Sequence, residues 1–218
     1  MSPATMFTAL IAGVIVWLLV ASRLTARSWE NPGEAGNGGG VAIAPARIGL
    51  WAFMAVATSL FSLFLTAYLM RMHHGFWCHV DPPRILWLNT ALLVLASVAF
   101  QNARWAVGRG QKGRVRSSLA AGGVLTIAFL AGQFLAWREL APTMYFIQGS
   151  PATASFHLLT GVHGLHVLGG LWAWGRVVAR LGGDAELVDV RLGVQLCTVY
   201  WHFLLVVWLV LFATLSTT

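Results

Sequence analysis

The sequence predicts an all-α protein, a polytopic transmembrane helical bundle of six spans in which a five-helix core follows one N-terminal helix. Three observations predict it. The 218 residues are 58% hydrophobic and only 10% charged, against about 45–50% and about 25% in a soluble domain. Mean hydropathy is +0.73. Apolar runs near the length a bilayer requires, about 20 residues, recur near 6–22, 48–70, 85–103, 118–137, 155–175 and 193–215. Disorder is excluded, because a disordered chain is poor in apolar residues. A soluble enzyme is excluded too, because so few charges cannot cover so apolar a chain.

The first span, Met6 to Ser22, has no Lys or Arg among Met1–Thr5, whereas Arg23 and Arg27 follow it. A secretory signal has the opposite polarity, so the expectation is an uncleaved helix with its N-terminus outside. Residues 28–46 hold Pro32, Gly33, Gly36 and the triplet Gly38-Gly39-Gly40, a composition that reads as a flexible linker. The domains expected are therefore an N-terminal helix at 1–27, a linker at 28–46, and a five-helix domain at 47–218. Connections within that domain are short.

Net charge is +7 and the isoelectric point about 10.7. The run Arg109-Gly-Gln-Lys112-Gly-Arg114-Val-Arg116 could be read as a nucleic-acid patch. In a membrane protein the plainer cause is the excess of Lys and Arg in cytoplasmic loops. With six alternating spans, eleven of the fourteen Lys and Arg fall on one side and only Arg71, Arg84 and Arg138 on the other. That asymmetry places the basic loops in the cytoplasm, both termini outside, and leaves no nucleic-acid partner. Cys78 then lies in an outer loop and Cys197 at the inner start of the last span, too far apart to bridge.

Polar side chains within hydrocarbon face the bundle interior and find partners there. All seven acids lie in loops or at span ends, so a proton relay on buried carboxylates has no candidate. His163 and His166 share one helix face at a spacing of three, whereas His157 points elsewhere. With His202 these could ligate haem or copper, or could simply hydrogen-bond between helices. The outer loop brings together His73, His74, Cys78 and His79, a weak candidate for copper or zinc, or else a hydrated interfacial loop. Gly161, Gly164, Gly169 and Gly170 on the fifth span, and Gly122, Gly123 and Gly132 on the fourth, mark close helix approach. Asn89, Gln133 and Thr160 are intramembrane groups able to bond between helices. Trp77, Trp87, Trp105 and Trp137 fit an interfacial aromatic belt.

Two strings go beyond composition. Ser155-Phe-His-Leu-Leu-Thr160-Gly161-Val-His163-Gly164-Leu-His166-Val-Leu-Gly169-Gly170 and Tyr200-Trp201-His202-Phe203, the latter followed by Val206-Val207-Trp208-Leu209, resemble the signature helix and the last helix of subunit III of haem–copper oxidases. Gly49-Leu-Trp51-Ala-Phe53, Leu88-Asn89-Thr90 and Gly132-Gln133 agree in order. The resemblance covers roughly 47–215 and leaves the first span outside it. Three carboxylates usual in that family are replaced here by Ala57, Ala136 and Leu205.

The resemblance implies a non-catalytic, stabilising subunit with no catalytic residue, cofactor or metal of its own. Haem and copper would sit in partner subunits I and II, with phospholipid held between the helices. On this reading Thr160, Gly161, His163, Gly164, His166, Gln133, Trp201 and His202 serve helix packing and lipid. The complex would reduce O₂ to water and pump protons from a bacterial-type plasma membrane. The alternatives are an accessory subunit of a nitric oxide reductase, which shares the fold, and a self-contained haem or copper membrane protein using His163, His166 and His202. A transporter would show an inverted repeat and a broken helix at a charged site, and the sequence has neither.

Overall fold

The protein is described by a computed structural model, which describes residues 45–72, 84–146, 151–182 and 187–216. The expected first span at 6–22, nearly all of the linker and the His73–His79 loop lie outside the described residues. Five helices follow in order: α1 Pro45–Met72, α2 Ile85–Gly108, α3 Lys112–Phe146, α4 Pro151–Gly182 and α5 Leu187–Ser216. The chain divides after Thr58, within α1, into two units, Met1–Thr58 and Ser59–Thr218.

Helices are the only open-chain answer to these apolar runs, because each backbone N–H and C=O must be satisfied within its own segment where water is absent. Except at the start of α2, they overrun the apolar spans at both ends. α1 opens at Pro45, a residue suited to the first helical position because the N–H it lacks would be unpaired there anyway. The last two residues assigned to the linker are therefore helical. The 104–117 loop shrinks to Arg109, Gly110 and Gln111, since α2 runs to Gly108 and α3 begins at Lys112. At 35 residues α3 is about 52 Å long at 1.5 Å per residue. Hydropathy marks the depth of hydrocarbon, whereas the hydrogen-bond ladder continues past it into the interface.

Four helices are long and apolar enough to cross a membrane: Ala46–Arg71, Ile85–Gly108, Lys112–Glu139 and Val190–Ser216. α4, the fifth expected span, has the length but not the apolarity. His157, His163, His166 and its glycines offset its leucines and valines.

Within Ser59–Thr218, α2 packs most extensively on α3 and also against α5, while α4 contacts both α3 and α5. Each helix turns one stripe inward. On α2 the buried positions are Leu86, Asn89, Leu93, Ala96, Phe100 and Ala103, at spacings of three and four. The opposite face exposes Trp87, Val94, Leu95, Val98 and Trp105. α4 exposes Leu158, Leu165, Leu168 and Trp172 while burying Leu159, Thr160, His163 and Val167. The outer surface is thus apolar and the inner one carries the polar groups, the arrangement that suits a lipid solvent.

The α2–α3 turn depends on Gly110, which sits at φ +70° and donates its N–H to the Val107 carbonyl at 3.2 Å, while Gln111 N–H reaches Ala106 O at 3.0 Å. This closes α2 with a left-handed residue that favours glycine. Gly110→Ala should therefore destabilise the chain by about 1 kcal/mol, whereas Gly108→Ala, helical and with open space around it, should stabilise it by about 0.5–1 kcal/mol. Opposite shifts in an SDS unfolding titration followed by circular dichroism are the expected result. Shifts of the same sign would contradict this account of the turn.

Candidate functional site

The polar residues of the spans converge on a seam between α2, α3, α4 and α5. Its recurring unit pairs one threonine with one tryptophan. Thr90, Thr126 and Thr160 each donate a hydroxyl proton to the carbonyl four residues back, at 2.8, 2.7 and 2.7 Å. The hydroxyl oxygen is then turned outward as an acceptor. Trp208 Nε1–H on α5 donates to Thr90 on α2 at 3.0 Å. Trp201 on α5 donates to Thr126 on α3 at 2.9 Å. Trp137 on α3 donates to Thr160 on α4 at 2.9 Å. Trp174 on α4 reaches the Leu119 carbonyl on α3 at 3.0 Å.

Two further bonds complete the set. Tyr200 donates its hydroxyl to the His166 carbonyl at 2.9 Å. Thr198 Oγ1 lies 3.1 Å from Phe100 O and 2.8 Å from Val194 O. α5 is thereby tied to all three of its neighbours in the seam.

Small residues let the rings in. A Cβ on Gly122 would stand 2.7 Å from the Phe100 ring, and one on Gly123 would collide with Trp174. Gly132 lies directly beneath Asn89 Oδ1, with no room for a methyl group. Asn89 in turn donates Nδ2–H to Gln133 Oε1 at 3.4 Å, a long bond. The close approach of Asn89 Oδ1 to the Gly132 backbone offers that oxygen a weak Cα–H donor of the kind seen between packed helices. Gly170 meets Tyr200 at 2.8 Å and Gly161 meets Trp137 at 3.5 Å, while nothing lies within 4 Å of a Cβ on Gly164 or Gly169.

His163 occupies the middle of this seam, fully buried. Its ring lies 5.3 Å from Trp208, 5.9 Å from Phe129 in an edge-to-face arrangement, and 6.3 Å from Phe61. Neither ring nitrogen has a hydrogen-bond partner, a state that costs free energy in a dry interior. His166 faces the same Phe61 ring at 5.2 Å and donates Nδ1–H to Val162 O at 2.8 Å. His202 does the same to Thr198 O at 2.7 Å. His157 lies elsewhere, against Trp137 and Phe156.

Among the described residues no three His, Cys, Asp or Glu side chains come together as a metal-ligand set. His163, His166 and His202 therefore do not form a three-ligand metal set. The outer-loop candidate, His73, His74, Cys78 and His79, lies outside the described residues. Cys197 is a free, buried thiol.

Asn89, Gln133 and Thr160 are legible from the sequence as interhelical groups, and Trp201 enters only through the resemblance. Thr90, Thr126, Trp174 and Trp208 are not legible, and Trp137 is assigned to an interfacial belt. A signal existed: Trp201 and Trp208 sit deep in the last span, where an indole N–H must find a partner.

Three kinds of relative share this sequence. A family model described as cytochrome c oxidase subunit III matches residues 48–217. Cytochrome c oxidase subunit 3 of Corynebacterium diphtheriae is 31% identical over 160 residues, covering 72% of this chain and 78% of that protein. Cytochrome bo(3) ubiquinol oxidase subunit 3 of Pseudomonas aeruginosa is 25% identical over 169 residues, covering 75% and 80%. Cytochrome c oxidase subunit 3 of Danio rerio is 31% identical over 136 residues, covering 62% of this chain and 51% of the fish protein.

Two substitutions probe the seam. Thr126→Val keeps the side-chain shape opposite Trp201 and exchanges the hydroxyl that accepts its N–H for a methyl group. The expected loss is about 0.6–2 kcal/mol in an SDS unfolding titration. Gly132→Ala must push Asn89 aside and should cost about 1–3 kcal/mol, with most of that loss recovered in Gly132→Ala/Asn89→Ala. An unaffected Gly132→Ala protein would show that the helices do not approach so closely.

Proposed function

This chain belongs to the cytochrome c oxidase subunit III family, and on that premise we propose that it serves as the non-catalytic, stabilising subunit III of a haem–copper terminal oxidase. The match over 48–217 carries the reading. Catalysis would rest with partner subunits I and II, which hold the haems and copper, and the assembled complex would reduce O₂ to water and pump protons. The seam supports this division of labour. Its threonines, tryptophans and amides serve to pair helices, and along the chain the three positions where the family usually has a carboxylate hold Ala57, Ala136 and Leu205. The relatives bear the names of oxidase subunits, which favours this assembly over a nitric oxide reductase.

The proposed architecture is an N-terminal helix at 1–27, a linker at 28–46 and a five-span domain at 47–218. α4 crosses the membrane with its neighbours. It packs against both α3 and α5, is 32 residues long, and keeps His163 inside while Leu158, Leu165 and Leu168 face out. The basic loops lie on the cytoplasmic side of a bacterial plasma membrane and both termini outside, as the Lys and Arg asymmetry suggests. Within the domain Thr160, Gly161, Gly164, Gln133, Trp201 and His202 serve packing. His163 and His166 orient α4 and hold water or a phospholipid headgroup, which would supply the partner that His163 lacks.

Purification in mild detergent through a tag on this chain should bring haem bands and larger partner chains, both lost from the chain isolated alone. Haem bound stoichiometrically to the lone chain would overturn the reading. His163→Ala/His166→Ala should lower the yield of assembled complex and shorten its turnover lifetime. Unchanged stoichiometry and lifetime would remove the histidines from that role.

A further inference from the structure

The turn between α2 and α3 carries an open cavity of about 400 Å³ lined by Asn102, Trp105, Arg109, Gln111, Arg114 and Ser118. The spacing explains the convergence. Asn102 and Trp105 lie three apart on α2, Arg109 follows its last residue in the turn, and Arg114 and Ser118 lie four apart at the start of α3. The glycine turn at Gly110 folds the two sets toward each other. Both guanidiniums are exposed, so a ligand can reach them.

Along α2, the turn and the start of α3 the charge is one-sided. No Asp or Glu occurs between Asp81 and Glu139, and Glu139 is 25 residues along α3 from Arg114, about 37 Å away. α3 also begins against its own dipole. Its first turn contains no acid but does contain Lys112 and Arg114, at the helix end where positive charge is disfavoured and anions are favoured. Gln111 O accepts Val115 N–H at 3.0 Å, so Gln111 caps the helix. Lys112 N–H reaches Gly110 O at 3.2 Å, which leaves the amides of Gly113 and Arg114 at the same end as the two arginines. An anion here would offset the repulsion between the guanidiniums and take up those donors.

We propose that this cavity binds a phosphate ester, with Arg109 and Arg114 as the two forks and Asn102, Gln111 and Ser118 as neutral hydrogen-bonding partners. Guanidinium forks match phosphate oxygens in pairs. The volume falls in the range of small-molecule pockets, about 300–1,000 Å³, which favours an organic phosphate over a bare ion. Trp105 is 56% exposed beside the cavity on an apolar helix. A basic pocket between spans at a membrane surface is suited to an anionic lipid headgroup, and a free phosphate ester would present the same chemistry. The proposal rests on this turn alone and stands apart from the family reading.

The test uses the full-length chain with whatever partners purify alongside it, stripped of lipid and placed in phosphatidylcholine nanodiscs. Phosphatidylglycerol is titrated in and bound lipid is counted by native mass spectrometry, with and without inorganic phosphate as competitor. Arg109→Gln/Arg114→Gln should weaken retention about thirtyfold. Lys112→Gln/Arg116→Gln, which removes equal charge outside the cavity, should weaken it far less. Arg109→Lys/Arg114→Lys keeps the charge and should still lose part of the binding, which guards against misfolding of the neutral variant. Retention that phosphate does not displace identifies a lipid headgroup. Displacement by phosphate with the same dependence on Arg109 and Arg114 identifies a free phosphate source. Equal losses in the two charge-removing pairs, or no binding of either probe, overturn the proposal.

Discussion

A polar group inside hydrocarbon has no water to fall back on, and the bundle is arranged around that constraint. Threonine answers it in two steps. Its hydroxyl first repays the donor debt locally, to the carbonyl one turn back, and only then offers a lone pair to the neighbouring helix. Such a pre-aimed acceptor narrows the positions that a tryptophan opposite can take. Thr90, Thr126 and Thr160 therefore fix the rotation of their helices as well as their contacts. Trp208 and Trp201, seven residues apart on α5, reach two different helices, α2 and α3, so α5 can neither rotate nor slide without losing one of them.

The same tryptophans are large, and the glycines opposite make them tolerable. Gly123 receives Trp174, and Gly122 receives Phe100, which lies tilted at 33° against Trp201. Ring, glycine and hydroxyl thus form one mechanical unit. His163 is the exception. It is packed as tightly as any core residue, but by rings alone. Aromatic walls can stabilise an imidazole edge-on, yet they cannot replace the hydrogen bonds it has left. The threonine–tryptophan pairs are satisfied where they join helices, whereas Asn89 Oδ1, Gln133 Nε2 and both ring nitrogens of His163 lack conventional hydrogen bonds.

The all-helical class, the places of the four most apolar spans and the interhelical use of Asn89, Gln133 and Thr160 could be read in advance, because apolar run length and isolated polar residues within runs report directly on burial. Helix ends could not. Phe146 and Gly182 lie beyond the apolar stretch, where hydropathy falls but the backbone ladder does not. α4 shows the converse, a long helix whose histidines and glycines dilute the signal that marks a span. The tryptophan partners were hidden for another reason. Composition assigns tryptophan to interfaces, and only the depth of Trp201 and Trp208 in their span argues otherwise. Pairings such as Thr198 with Phe100 O depend on tertiary register, which no local pattern carries.

The distances along the chain between bonded partners set an order on synthesis. Asn89 and Gln133 are 44 residues apart and Trp137 and Thr160 only 23, whereas Trp201 and Thr126 are separated by 75 and Trp208 and Thr90 by 118. Contacts near in sequence close early and distant ones late. A nascent chain that has reached α4 has made its α2–α3 hairpin, but Thr90 and Thr126 still lack their indoles, and the cleft awaiting α5 lies open to lipid. Quality control in the membrane would see an unfinished core until the last thirty residues arrive, so a truncation there would do more harm than its length suggests.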